Sequence, residues 1–246
     1  MRIVAALVLA GLLAGVTEAS AQTDDTLFYI NVSGAFEPGT QTYADDGTFR
    51  LYDENGRLNV SSEVSSGAVL DFSAGVKVYE AFTLGLGFHR TSSSDVATVS
   101  GTAPHPVFFD RPRPFTQSLE DLTRTEQALH FSVGYVVAVG EKLDVHITAG
   151  PSQFRFAQQV PSSVTIAESG STFTATVATA SRKRNVWGGH IGADFSYPVF
   201  EQGAALFRVG AYLRYAAASS EFQVVTNTVE TKLGGVQLGA GVRVRF

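Results

Sequence analysis

The chain has 246 residues, no cysteine, 24 glycines, 17 % charged residues and a formal net charge of −5. The missing cysteines exclude a disulfide-stapled exported domain, and the acidic balance argues against nucleic acid as a partner. After Val16 no apolar run reaches the roughly 18 residues that a membrane-spanning helix needs, and helix-forming composition is confined to "SLEDLTRTEQAL" at 118–129.

Met1-Arg2, the apolar run from Ile3 to Val16 and the small-residue site Ala19-Ser20-Ala21 read as an export signal over residues 1–21. That leaves residues 22–246 as one domain beginning at Gln22. The rest of the chain is dominated by alternation. Phe28, Ile30, Val32, Gly34 and Phe36 alternate with Tyr29, Asn31, Ser33 and Ala35. The same period of two runs through Leu70 to Val78, Phe82 to His89, Leu129 to Val137 and Leu143 to Gly150. It returns from Trp187 to Tyr197, from Phe207 to Tyr215, and in the closing "LGGVQLGAGVRVRF". Successive side chains on a strand point to opposite faces, so each segment has one apolar and one polar or empty face. Eight strands of about ten residues match the length a tilted strand needs to cross a bilayer.

The connections separate by length. Tyr79-Glu80-Ala81, Gly140-Glu141-Lys142 and Phe200 to Gly203 are short, whereas 37–66, 91–124, 158–185 and 218–231 are long. Short turns at one end and long loops at the other belong to a membrane barrel, and a soluble sandwich has no reason to sort them so. The expected fold is therefore all-β: an eight-stranded antiparallel up-and-down transmembrane β-barrel with long extracellular loops. Phe28, Phe36, Phe82, Phe88, Trp187, Tyr197, Tyr215 and Phe246 lie near strand ends, where interfacial aromatic girdles are expected.

The polar face carries Asp71, Lys77, His89, Asp144, His146, His190, Asp194, Arg208, Arg214, Arg243 and Arg245, with His130. In a barrel these groups point inward, and in low dielectric they must pair to be tolerated. The hairpin registers bring Asp194 toward Arg208 and Asp71 toward His89. The expected result is a structural plug; the alternative is a narrow conduit for small or hydrophobic solutes.

The long connections add detail. "DDGTFRLYDENGRLNV" reads as a hairpin turning at Asn55-Gly56, which accounts for its acids without calcium. Val164 to Ala180 reads as a second hairpin reaching above the membrane, and in Ala103 to Phe115 the residues Phe108, Phe109 and Phe115 are expected to fold over the barrel mouth or meet a partner. Arg90, Arg124, Arg182, Lys183, Arg184 and Lys232 recur at the outer rim as candidates for binding lipopolysaccharide phosphates and carboxylates. The histidines show no metal-ligand spacing, so no metal or cofactor is expected.

Gly241, Val244 and Phe246, within the glycine-rich alternating terminus, resemble the closing signal of the small outer-membrane β-barrel proteins of Gram-negative bacteria, with Gly239 at a position that is usually polar. The whole mature chain looks most like the opacity-type surface antigens of that group. The resemblance implies outer-membrane lipid and lipopolysaccharide as surroundings, the barrel assembly machinery as a partner during insertion, and a monomer whose loops contact a surface ligand. It implies a non-enzymatic surface protein contributing to envelope structure. His130, Ser132 and Glu141 imitate the arrangement of a lipid A deacylase, but the first two face the lumen and the third lies in a short turn at the far end, so an enzyme is not expected.

Overall fold

The computed structural model describes residues 27–38, 41–64, 67–169, 172–223 and 227–246; the export signal at 1–21 lies outside the described residues. Eleven strands form: β1 (Phe28–Glu37), β2 (Gln41–Leu51), β3 (Glu54–Val64), β4 (Gly67–Tyr79), β5 (Phe82–Ala103), β6 (Arg113–Val139), β7 (Leu143–Ser169), β8 (Thr172–Gln202), β9 (Ala205–Gln223), β10 (Thr228–Leu233) and β11 (Val236–Arg245). Among the described residues no helix appears, and 118–129 lies within β6.

Eight strands close a ring in the order β1-β4-β5-β6-β7-β8-β9-β11, each antiparallel to its neighbours. β11 returns to β1 from Tyr29↔Arg245 to Phe36↔Leu238, so the last strand removes the open edge that lipid could not satisfy. Leu27 and Phe28 donate their N–H groups to the Phe246 carbonyl at 3.1 and 2.8 Å, fastening the two ends of the ring. Tight turns at Glu80-Ala81, Gly140–Lys142 and Gly203-Ala204 lie at the same end as both strand termini.

The faces fall as the alternation requires. Ile30, Phe72, Leu86, Val133, Ile191, Val209, Leu213 and Val242 point outward and are exposed, while Asp71, His89, His130, Arg208, Arg214 and Arg243 are buried inside. Among the described residues no side chain covers this outer belt, and a hydrocarbon surrounding removes its apolar surface from water. The chain has the architecture of a transmembrane β-barrel, with its short turns gathered at one end and its long hairpins at the other. Aromatic contacts mark the belt edges: Phe28 with Phe246 (6.3 Å) and Phe82 with Tyr135 (5.0 Å) at the short-turn end, Phe131 with Trp187 (6.2 Å) toward the other.

The expected long loops are largely strand. β5 to β8 continue for 22, 27, 27 and 31 residues, far beyond ten. Above the belt β3 replaces β4 as the partner of β5 (Arg57↔Thr102 to Glu63↔Val96), and β10 replaces β11 as the partner of β9 (Leu233↔Ala218 to Thr228↔Gln223). The β2–β3 hairpin turns at Tyr52-Asp53, both with positive φ, as a two-residue primed turn needs; the expected turn at Asn55-Gly56 is displaced. Gly56 lies instead in β3, where the Phe49 ring occupies the space a Cβ would take.

In this extension the faces change chemistry. Leu58, Val60, Val99, Phe115, Phe154, Phe156, Val160, Val177 and Leu233 are buried inside and form one apolar core. Below, apolar faces lipid and polar faces inward; above, apolar faces inward and polar faces water.

Candidate functional site

Three layers fill the interior. At the short-turn end lies a charged layer. Asp144 on β7 accepts from Arg245 at 2.6 Å and lies 2.8 Å from Arg208. Arg208 also donates to Ser196 Oγ (3.1 Å) and to the Ser196 and Lys142 carbonyls. Arg243 on β11 forks onto Asp194 through Nε and Nη2. The expected pairing of Asp194 with Arg208 does not form, because the β8–β9 register places Asp194 opposite Tyr212 and Arg208 opposite Pro198. Lys77 and these arginines line a cavity of about 120 Å³ beside the short turns. A smaller one of about 60 Å³ lies further in, between Tyr29, Asp71, His146 and Arg214. Tyr29 spans this region because Gly75 and Gly85 leave room; its hydroxyl occupies the place a Cβ would take at both. Its ring meets His146 edge-on at 5.3 Å, and His146 Nε2 bonds Thr83 Oγ1 at 2.8 Å.

The middle layer is a chain of hydrogen bonds with one direction. Arg214, ion-paired with Asp71, donates from Nε to Gln237 Oε1 at 2.9 Å. The Gln237 amide nitrogen then faces Glu37 Oε2 (3.0 Å) and His89 Nε2 (3.4 Å). An amide NH2 only donates, so His89 Nε2 accepts and its Nδ1–H points at His130 Nε2, 2.8 Å away. His130 Nδ1–H therefore donates to Ser152 Oγ (2.7 Å), Ser152 donates to His190 Nδ1 (2.9 Å), and His190 Nε2–H donates to Ser132 Oγ (3.0 Å). One amide orientation thus fixes three histidine tautomers. Asp71 and His89 are opposite each other in register, as expected, yet their side chains turn to different partners.

Ser132 bonds His190 rather than His130, and Ser152, though held by two imidazoles, is fully buried. Glu141 lies in the turn at the opposite end.

The upper layer is mainly apolar and tightly packed. Phe154 stands edge-on to His89 and His130 at 6.2 and 6.3 Å, and Phe156 lies beneath the Arg124 guanidinium at 4.9 Å. Arg124 was expected at the rim; it is buried, because its strand face above the belt points into the core, and it donates to the Lys232 carbonyl (3.2 Å) and to Glu126 (3.4 Å). Glu126 accepts from the Gly234 N–H at 2.7 Å, and burial pushes its carboxyl up to about 7 against the lowering pull of Arg124.

Beyond the core, three hairpin ends are tied together. Arg113 forks onto Glu168, Tyr52 reaches Glu168 at 3.5 Å, and the Asp110 N–H donates to Glu54 Oε1 at 2.8 Å. Phe115 joins the core, but the expected cover for Phe108 and Phe109 is missing: Val107 and Phe109 are 77 and 73 % exposed. Phe108 sits between the His105 ring (4.9 Å) and the Arg111 guanidinium (5.5 Å), and His105 Nδ1 accepts the N–H groups of Val107 and Phe108.

Of the remaining rim candidates, Arg90, Lys183, Arg184 and Lys232 are exposed and Arg182 half-buried. Sequence reading passed over Gln237, Ser152, Phe154 and Phe156. The phenylalanines carried a signal: they occupy the face opposite to that of Val145 and Ile147 on the same strand.

No protein-family model and no curated protein matches the chain. Among solved structures it is similar to the outer membrane protein OprG from Pseudomonas aeruginosa, with 11 % identity over 90 % of this chain and 96 % of that one and a TM-score of 0.48. Neisserial surface protein A shows 14 % identity over 89 and 97 % of the two chains, with a TM-score of 0.44. The outer membrane protein AlkL, solved in lipid bilayers, shows 9 % over 94 and 95 %, with a TM-score of 0.40. At these identities and scores the likeness says nothing about role.

Proposed function

We propose that the chain is a non-enzymatic outer-membrane surface protein: a filled barrel that anchors a rigid extracellular sheet whose end makes contacts outside the cell. The observation that carries this reading is the packed layer inside the barrel at the outer edge of the lipid belt, where His89, His130, Phe154 and Phe156 are buried to 1 % exposure or less. The cross-tied hairpins above it hold Val107 and Phe109 exposed to water. Apolar groups fixed in place at the far tip suit contact with another surface.

Planar-bilayer recording tests the reading. The native protein gives no conductance steps, whereas Phe154→Ala with Phe156→Ala opens a measurable path. Reproducible steps from the native protein would overturn it.

A second reading, passage of small apolar solutes, has one observation in its favour. The β6–β7 ladder skips from His130↔Ser152 to Val133↔Ala149, and Pro151 offers no N–H there. Uptake of an apolar dye into vesicles that is lost in Pro151→Val would favour it.

A further inference from the structure

We propose that Arg90, Arg155 and Lys183 form an outward-facing binding site for the phosphate groups of outer-leaflet glycolipids. The proposal rests on the membrane placement of the reading above and is independent of whether the lumen conducts.

Register places these residues together. Arg90 on β5 is opposite Gln127 on β6, Gln127 is opposite Arg155 on β7, and Arg155 is opposite Asn185 on β8. One layer further out, Ser92, Thr125, Ala157 and Lys183 are aligned in the same way. Both layers continue the outward face that carries Phe88, Leu129 and Trp187 immediately below. Two strand spacings separate Arg90 from Arg155, roughly 10 Å between backbones, a gap that two long guanidinium side chains close around one oxyanion. Lys183 is diagonal to Arg155 on the same face, about 7–8 Å away.

Charge gives the second argument. The chain is acidic overall, at −5, yet these two outward layers on β5 to β8 hold three cations and no acid. Inside the barrel Arg208, Arg214, Arg243 and Arg245 each face a carboxylate. Arg90, Arg155 and Lys183 are exposed, and their side chains have no partner among the described residues. Cations left bare at headgroup height, directly above an aromatic edge, match a ligand supplied by the membrane itself. Phosphate suits them because the Arg fork offers parallel donors to two of its oxygens while Lys adds a point charge. The site differs from the rim set expected from sequence: Arg155 enters, Arg124 leaves for the core, and Arg182 and Arg184 alternate with Lys183 onto the other face.

The chain's one tryptophan, Trp187, lies two positions below Asn185 on this face and serves as the reporter. The full-length protein is folded into phosphatidylcholine vesicles containing either bisphosphorylated lipid A or the same lipid after phosphatase treatment. The expected result is a saturable change in Trp187 emission with the phosphorylated lipid alone. The triple variant R90Q/R155Q/K183Q weakens that response by about tenfold or more, while R50Q/R184Q, which removes as many exposed arginines elsewhere, leaves it unchanged. An equal response to the dephosphorylated lipid, or an unaltered triple variant, overturns the proposal. Displacement of the lipid by low millimolar inorganic phosphate also overturns it, since the site would then belong to a soluble anion. Should the triple variant fail to fold, the comparison of the two lipids on native protein decides alone.

Discussion

The lipid boundary is open to direct measurement by a single arginine moved along one strand face. Leu86 and Ser94 both point outward on β5 and are both exposed, eight positions apart. At about 3.4 Å per residue that separation is roughly 27 Å along the strand, and a tilt of about 45° leaves a rise of roughly 19 Å along the barrel axis. The apolar band of such a barrel is about 25 Å tall, so a site near its middle and one 19 Å higher fall on opposite sides of its edge. Leu86→Arg places a cation in hydrocarbon at a cost of about 2–4 kcal/mol, whereas Ser94→Arg meets water and costs about 0–1 kcal/mol. Urea-driven folding into phosphatidylcholine vesicles, followed by Trp187 emission and by the mobility difference between folded and unfolded protein in gels, measures both. Equal penalties at the two positions, or a larger one at Ser94, would refute the assignment of lipid to the lower face.

The apolar core above the belt makes a matching prediction. Phe154→Ala leaves a cavity among fixed neighbours and is expected to cost about 3–5 kcal/mol, while Phe131→Ala on the lipid face forfeits only transfer energy, about 1.5–3 kcal/mol, because mobile chains refill the space. The same urea assay distinguishes them, and a Phe154→Ala loss no greater than that of Phe131→Ala would count against a packed core. Glu126 sets a pH dependence. Its folded carboxyl stands at about 7 against an ordinary value of 4.5, chiefly through burial. Folding therefore takes up a proton between those values. The stabilisation is complete in acid and is lost as pH rises through about 7, an effect of roughly 3 kcal/mol at most. Glu126→Gln flattens the stability profile between about pH 5 and pH 8, and a profile of unchanged slope would rule this origin out.

The barrel was legible because lipid imposes a strict rule. Every residue in the belt must satisfy one parity, so Phe28 to Phe36 and Val236 to Phe246 announce both their strand and their orientation before any partner is known. The lumen inventory followed from the same parity: Asp71, Arg208, Arg214 and Arg243 are buried inside, and Asp144, Asp194 and Arg245 line the interior cavity half-buried. Their pairings did not follow. Asp194 meets Arg243, 49 positions away, rather than Arg208 across its own hairpin, since the Arg243 side chain on β11 reaches past β9 to the next strand, β8. The direction of the histidine chain likewise depends on Gln237, a neutral residue that nothing in the alternation singled out.

Segments 91–124 and 158–185 look like loops because they violate the belt's parity, and the violation has a physical cause. Once a strand leaves lipid, the surroundings of its two faces exchange properties: the outer face meets water and the inner face meets other side chains. On β7 the outward series Val145, Ile147, Ala149 passes into Gln153 and Arg155, while the inward series His146, Thr148 passes into Phe154 and Phe156. The strand continues without interruption as the pattern changes sign, and a search for one fixed parity stops where the sign changes. That crossover is itself a landmark, since it places the water boundary between Ala149 and Arg155 on this strand. Trp187 is opposite Gln153 and Lys183 is opposite Ala157, so the crossover on β8 falls at the same height. Two strands agree on the level at which hydrocarbon ends, and Arg90, opposite Gln127 and through it Arg155, extends that level to a third.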